Sequence, residues 1–192
     1  MHRQNRTRMA VVVCGLAVSL LLAKFAQAAP GPSGYHVIKT IPIGGEGRWD
    51  YCLVDSATRR LYVTHGTHVA VLDADSGAVL GDIPNTLGVH GVALATDLGR
   101  GFLTAGRANT LIIFDLQTLK TISTVKSGGL NPDAVVYDAS TKRVFAFNGK
   151  SADATALNAA DGKVAGMIPI GGRPEFAAGD GQGHVFVNVE DK

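Results

Sequence analysis

The sequence predicts an all-β fold, a β-propeller of four-stranded antiparallel blades, and three repeated markers predict it. Ile41-Pro42-Ile43-Gly44-Gly45 returns intact 127 residues later as Ile168-Pro169-Ile170-Gly171-Gly172, an offset of three periods of about 42. Ile83-Pro84 and Thr124-Val125-Lys126-Ser127-Gly128-Gly129 hold the same place in the intervening periods. An aromatic residue closes an apolar run at Tyr62, Phe102, Phe145 and Phe186, spaced 40, 43 and 41 apart. An apolar pair followed by Asp or Asn recurs at Leu72-Asp73, Phe114-Asp115 and Leu157-Asn158. Repeats of roughly 40–45 residues built from short strands are the signature of propeller blades.

In chain order, residues 1–28 read as a secretory signal peptide. Arg3, Arg6 and Arg8 precede an apolar core from Val11 to Leu22, and Ala26-Gln27-Ala28 offers a small-x-small cleavage site before Ala29. That core is too short to span ~30 Å of hydrocarbon. Val13, before Cys14, is bulkier than lipoprotein processing accepts. The signal places the protein outside the cytoplasm, in the periplasm or beyond the cell, and no transmembrane segment follows it. The first 28 residues carry four basic and no acidic residues, so the remainder holds 14 Lys+Arg against 16 Asp+Glu, net −2. No basic cluster remains to hold nucleic acid. Cys52 is the one cysteine left, which excludes an internal disulfide.

Residues 29–35, with Pro30-Gly31-Pro32-Ser33-Gly34, form a flexible leader, and 36–43 read as a lone outer strand at the start of a propeller domain spanning 36–192. Blades are expected at about 47–86, 87–129, 130–172 and 173–192. In the first, Asp50-Tyr51-Cys52-Leu53-Val54 is a short apolar strand and 55–60 a polar turn. Leu61-Tyr62-Val63-Thr64 is a second strand, rich in β-formers. His65-Gly66-Thr67-His68 reads as a loop, 69–73 as a third strand, and 78–83 as a fourth. Between the last two, Asp75-Ser76-Gly77 supplies a turn with Gly placed for positive φ. The second blade repeats this at 92–95, 102–104, 111–115 and 118–123, and the third at 134–137, 144–147, 155–158 and 163–168. No window after the signal carries a sustained 3.6-residue apolar period.

Leu61-Tyr62-Val63-Thr64, followed by a loop and Val71-Leu72-Asp73-Ala74-Asp75-Ser76-Gly77, resembles the repeat of the YVTN-family β-propellers, exported, bacterial surface-layer-like proteins. The resemblance runs over about 36–192 and drifts in later copies, at Phe102-Leu103-Thr104-Ala105, Phe145-Ala146-Phe147-Asn148 and Phe186-Val187-Asn188. It implies a ring typically of seven blades and says nothing of activity. Three complete blades and two strands of a fourth fall short of such a ring, which predicts a truncated copy, the front portion of a longer propeller. An open arc would self-associate through its edges.

Alignment of the periods puts Asp50, His90, Asp133 and Glu175 at one place, the start of each innermost strand. Two readings stay open there. Three carboxylates and an imidazole on one rim would suit a cation or polar ligand. The favoured expectation is more ordinary: each carboxylate caps amides of its own loop. Trp49 beside Asp50 is either a recognition aromatic at the channel mouth or packing between blades. Arg107 and Arg173, with Arg48, lie near the same mouth and would suit an anion. No metal is predicted; His65, His68 and His90 are the imidazoles placed where a ligand role would arise, and the bland reading of His65 and His68 is a solvated hairpin loop. Cys52 reads as a small buried hydrophobe. Glycine pairs such as Gly128-Gly129 precede strands rather than helices, so they cradle no phosphate. No Gly-x-Ser-x-Gly elbow or Cys-x-x-Cys-His haem site occurs, and no cofactor is predicted.

These residues support a non-catalytic exported propeller that binds a protein, a glycan or a small molecule through the loop face at its channel mouth. The alternative, carried by likeness to the propellers of periplasmic amine dehydrogenases and nitrous-oxide reductase, is a component of a periplasmic oxidoreductase system with a metal or cofactor near that face.

Overall fold

The computed structural model describes residues 34–45 and 47–192; the signal peptide expected over 1–28 and most of the leader expected over 29–35 lie outside the described residues. Two units divide between Thr40 and Ile41. In the first, residues 34–40 are exposed and carry no strand. The second contains fourteen strands. Residues 41–45 also lack strand structure, so the outer strand expected over 36–43 does not form. A strand needs a ladder partner for its amides and carbonyls. The partner would be the third strand of the last blade, and that sheet holds two strands.

The first blade is β1 (Trp49–Asp55), β2 (Arg60–His65), β3 (His68–Asp73) and β4 (Val79–Ile83). The second is β5 (Val89–Ala95), β6 (Arg100–Ala105), β7 (Thr110–Asp115) and β8 (Thr121–Lys126). The third is β9 (Pro132–Asp138), β10 (Arg143–Asn148), β11 (Asp153–Asn158) and β12 (Val164–Pro169). β13 (Pro174–Gly179) and β14 (Val185–Val189) make a two-stranded fourth sheet. Within every sheet the strands lie in sequence order and pair antiparallel. Among the described residues, the helical elements are two 3-10 turns, Thr96–Leu98 and Gly106–Ala108. The fold is therefore all-β, with β1, β5, β9 and β13 each at the start of its sheet.

Two loop details depart from the sequence reading. His65 and His68 pair across the hairpin as strand residues, so the β2–β3 loop is only Gly66-Thr67. A two-residue hairpin needs an unusual backbone, which Gly66 supplies with φ +58°. Cys52 is exposed rather than buried. It points from β1 into an open cavity lined by the innermost strands, away from the packing between blades.

Period-two patterning builds the core. On β7, Ile112 and Phe114 pack with Tyr62, Val69, Val71 and Ile83 of the first blade. The alternating Leu111 and Ile113 pack with Val144, Ala146 and Leu157 of the third. A middle blade thus buries both faces, and its third strand reads as a continuous apolar run. Arginine at the start of β2 and of β6 latches neighbouring blades. The Arg60 guanidinium donates to the Leu116 carbonyl and that of Arg100 to the Ala159 and Ala160 carbonyls.

The Asp capping predicted for the rim occurs at the opposite ends of the strands. Asp73 accepts from the Ser76 amide and hydroxyl, Asp115 from those of Thr118, and Asp138 from those of Ser140 and Thr141. These bonds hold all three carboxyls below the usual range, led at Asp73 and Asp138 by the hydroxyls and at Asp115 by the Thr118 amide.

Candidate functional site

A β-bulge opens each innermost strand, and the aligned rim residues sit in those bulges. In the β1–β2 ladder Trp49 faces His65 and Cys52 faces Val63, leaving Asp50-Tyr51 opposite Thr64. His90-Gly91 lie opposite Thr104 between Val89–Ala105 and Val92–Leu103, and Asp133-Ala134 opposite Phe147 between Pro132–Asn148 and Val135–Ala146. Glu175 is the extra residue between Pro174–Val189 and Phe176–Asn188. A bulge re-aims a side chain and leaves backbone groups unpaired.

Side chains across the ladder take up those groups. The Thr64 hydroxyl donates to the Tyr51 carbonyl at 2.9 Å. The Thr104 hydroxyl accepts from the Gly91 amide at 2.8 Å and donates to the Asp133 carbonyl of the next blade. Asn188 Oδ1 accepts from the Phe176 amide at 2.7 Å.

Three of the four rim side chains come together. His90 Nδ1 lies 2.5 Å from Asp50 Oδ2 and 3.8 Å from Asp133 Oδ1, and one ligand-type atom from each of the three falls within 4.8 Å of the others. A carboxylate only accepts, so His90 Nδ1 carries the proton shared with Asp50. These contacts cross from blade to blade, which corrects the expectation that the carboxylates cap their own loops. The side chains are 37% (Asp50), 25% (His90) and 16% (Asp133) exposed, open enough for a ligand and shielded enough to strengthen charge. Glu175 stays outside the triplet, but its charge acts on Asp133, and its carbonyl accepts from Tyr51 Oη at 3.0 Å.

Burial, with Glu175 and Asp50 adding repulsion, pushes the Asp133 carboxyl up to about 6 against the pull of His90 and Arg173. Burial and the same three carboxylates push the Tyr51 phenol up to about 12. The folded protein therefore holds the Asp133 proton more tightly than the unfolded chain does. Its stabilising contribution is complete below pH ~4 and is lost as pH rises through about 6. Asp133→Asn should flatten that decline and leave the protein about 1–2 kcal/mol more stable at pH 7, a figure reduced for solvent screening. Urea titrations at several pH values in EDTA check this; an unchanged pH profile would contradict it.

Below the rim lies a cavity of about 500 Å³, lined by Tyr51, Cys52, Val92, Val135, Tyr137 and Phe176 among others. The Tyr51 and Phe176 rings stand 6.2 Å apart across it, joining the first and fourth sheets.

The other sequence candidates fall elsewhere. Trp49 neither stands free at the mouth nor packs between blades. It stacks on His65 of its own blade at 3.7 Å and 4°, with about half its surface exposed. His65 is 1% exposed, not in water, with His68 edge-on at 4.9 Å and, among the described residues, no hydrogen-bond partner for either ring nitrogen. A side chain at Gly45 would strike it, so that glycine lets the leading loop close over the ring. His68 faces Asp82 at 3.8 Å. Arg173 is ion-paired with Glu190 rather than held for an anion, and Arg107 is exposed on the Gly106–Ala108 turn, outside the triplet. Sequence reasoning missed Tyr51, whose phenol spans two sheets, and Gly91, whose missing side chain admits the next strand. Neither carries a periodic signal.

Solved structures similar to this chain include WD40 propellers. The chain is similar to the hydrazine synthase of Kuenenia stuttgartiensis (TM-score 0.62, 14% identity, 76% of this chain and 41% of that one). It is similar to the WD40 β-propeller domain of Doa1 (0.61, 11%, 72% and 46%) and to the RRP9 WD40 repeats (0.60, 14%, 70% and 42%). The protein thus has a β-propeller fold, and it spans less than half the length of each of these structures. The chain matches no protein-family model and no curated protein.

Proposed function

We propose that this protein is an exported β-propeller of YVTN-repeat type that binds a cationic or polar ligand at the rim of its innermost strands, acting as a scaffold without catalysis. One observation carries the reading: Asp50, His90 and Asp133, from three blades and 40 and 43 residues apart, project from equivalent bulges onto one point. Residues 1–28 support export, and Leu61-Tyr62-Val63-Thr64 with 71–77 support the repeat type. A propeller supplies a rigid frame, so ligand choice falls to the rim side chains. The exposed Phe176, beside Tyr51, adds apolar contact area below them.

Thermal-shift screening of the purified protein against amines, sugars and short peptides tests the reading. Ligands that raise the melting temperature should lose their effect in Asp50→Asn and Glu175→Gln and keep it in Lys163→Ala. Shifts that persist in the rim variants, or a panel with none, overturn it.

The imidazole at the rim favours a second reading, a propeller component of a periplasmic oxidoreductase system. That reading requires a redox-active centre near His90, seen as an absorption band or paramagnetic signal in protein isolated from its native host and lost in His90→Ala.

A further inference from the structure

We infer that the rim binds a divalent transition-metal ion of the zinc type, held by His90 Nδ1 and one carboxylate oxygen each from Asp50 and Asp133. The inference rests on the reading of the rim as the ligand-binding face, and it names the first ligand bound there.

The donor set is more than an acidic patch. Its centre is an imidazole nitrogen flanked by two carboxylates at 2.5 and 3.8 Å. Each donor is delivered by a separate strand through the same backbone device, a bulge whose loose ends other side chains secure. Three donors placed this way define a point in space with little dependence on surface side-chain freedom.

The distances suit the ion. Zinc held at about 2.0–2.2 Å by nitrogen and oxygen sets tetrahedral donors roughly 3.4 Å apart. Occupancy would open the His90–Asp50 contact and draw Asp133 inward, each by less than about 1 Å. The ion takes the place of the proton that His90 Nδ1 now shares with Asp50. Two carboxylates balance its charge, and Glu175 adds to the negative field.

The donor chemistry selects among metals. An imidazole with two carboxylates and no sulfur disfavours copper(I), and the nitrogen disfavours calcium and magnesium, which take oxygen cages. Three protein donors leave a coordination position for water or for an oxygen of the scaffold's partner.

The test uses the full chain stripped with EDTA, in a Cys52→Ala background so that the exposed thiol cannot compete. Equilibrium dialysis against Zn²⁺ followed by elemental analysis should give about one equivalent per chain. Affinity should fall at least about tenfold in His90→Ala, Asp133→Asn and Asp50→Asn, and stay unchanged in His184→Ala, which removes an exposed imidazole elsewhere. Circular dichroism checks that each variant is folded. Where one is not, the absorption spectrum of cobalt(II) bound to the unsubstituted rim decides, with intense visible bands expected for tetrahedral coordination. Sub-stoichiometric Zn²⁺, retention of affinity in the folded rim variants, or a weak octahedral cobalt spectrum overturns the site. Rim-dependent binding of an organic ligand in EDTA would overturn the metal while leaving the scaffold reading intact.

Discussion

Phe114→Ala is expected to lower the unfolding free energy by about 3–5 kcal/mol. Phe114 is fully buried on β7, its ring 6.0 Å from that of Tyr62 on β2 and tilted 50° to it. The pair seals the first blade to the second. Beneath the ring lies Gly101, its partner across the β6–β7 ladder, where an added Cβ would stand 2.1 Å from Phe114 Cζ. The ring therefore covers a stretch of backbone that has no side chain of its own. Truncation leaves both a cavity and an uncovered glycine, and strands fixed by ladders on both sides cannot collapse to fill it. Urea denaturation followed through Trp49, the sole tryptophan, measures the loss. A change below about 1 kcal/mol would show that the blades do not meet at this pair.

Gly91→Val should destabilise the fold by about 1–3 kcal/mol and weaken the rim together with it. Gly91 follows His90 in the β5 bulge, and a Cβ there would come within 2.9 Å of the Asp133 carbonyl and Val135 Cγ1, and 3.2 Å of the Val135 amide. Two of those atoms belong to backbone and cannot rotate away. The added bulk would wedge β5 from β9 and carry His90 away from Asp133, so Zn²⁺ affinity should drop by at least about tenfold. Gly166→Ala on β12 is the matched control, because nothing lies within 4 Å of its added Cβ. Equal effects from the two substitutions would refute a close approach at Gly91.

The blades were legible because their cause is periodic. Every third strand must bury two faces, which puts Val71-Leu72, Ile113-Phe114 and Ala156-Leu157 at one spacing, and every turn after it needs an Asp or Asn. The rim positions were legible for the same reason, since alignment by period places Asp50 over His90 over Asp133. Their convergence was not. It depends on one extra residue per innermost strand, and a bulge has no compositional mark in a short apolar run. Capping looked the better reading because Asp in turns usually caps, and here Asp73, Asp115 and Asp138 do so at the far ends of the strands. The outer strand expected over 36–43 failed for a different reason. Its hydrogen bonds would go to a third strand of the last blade, and among the described residues that sheet holds β13 and β14.

The bulges bear on how such a protein can change over generations. Each frees one side chain from the alternation that the core imposes, so the core does not dictate which residue stands there. The rim then behaves as a row of exchangeable letters, now Asp, His, Asp and Glu, mounted on a frame whose strand pairing does not depend on their spelling. Substitution at the rim can then proceed one blade at a time, with the folding of the blades left as it was.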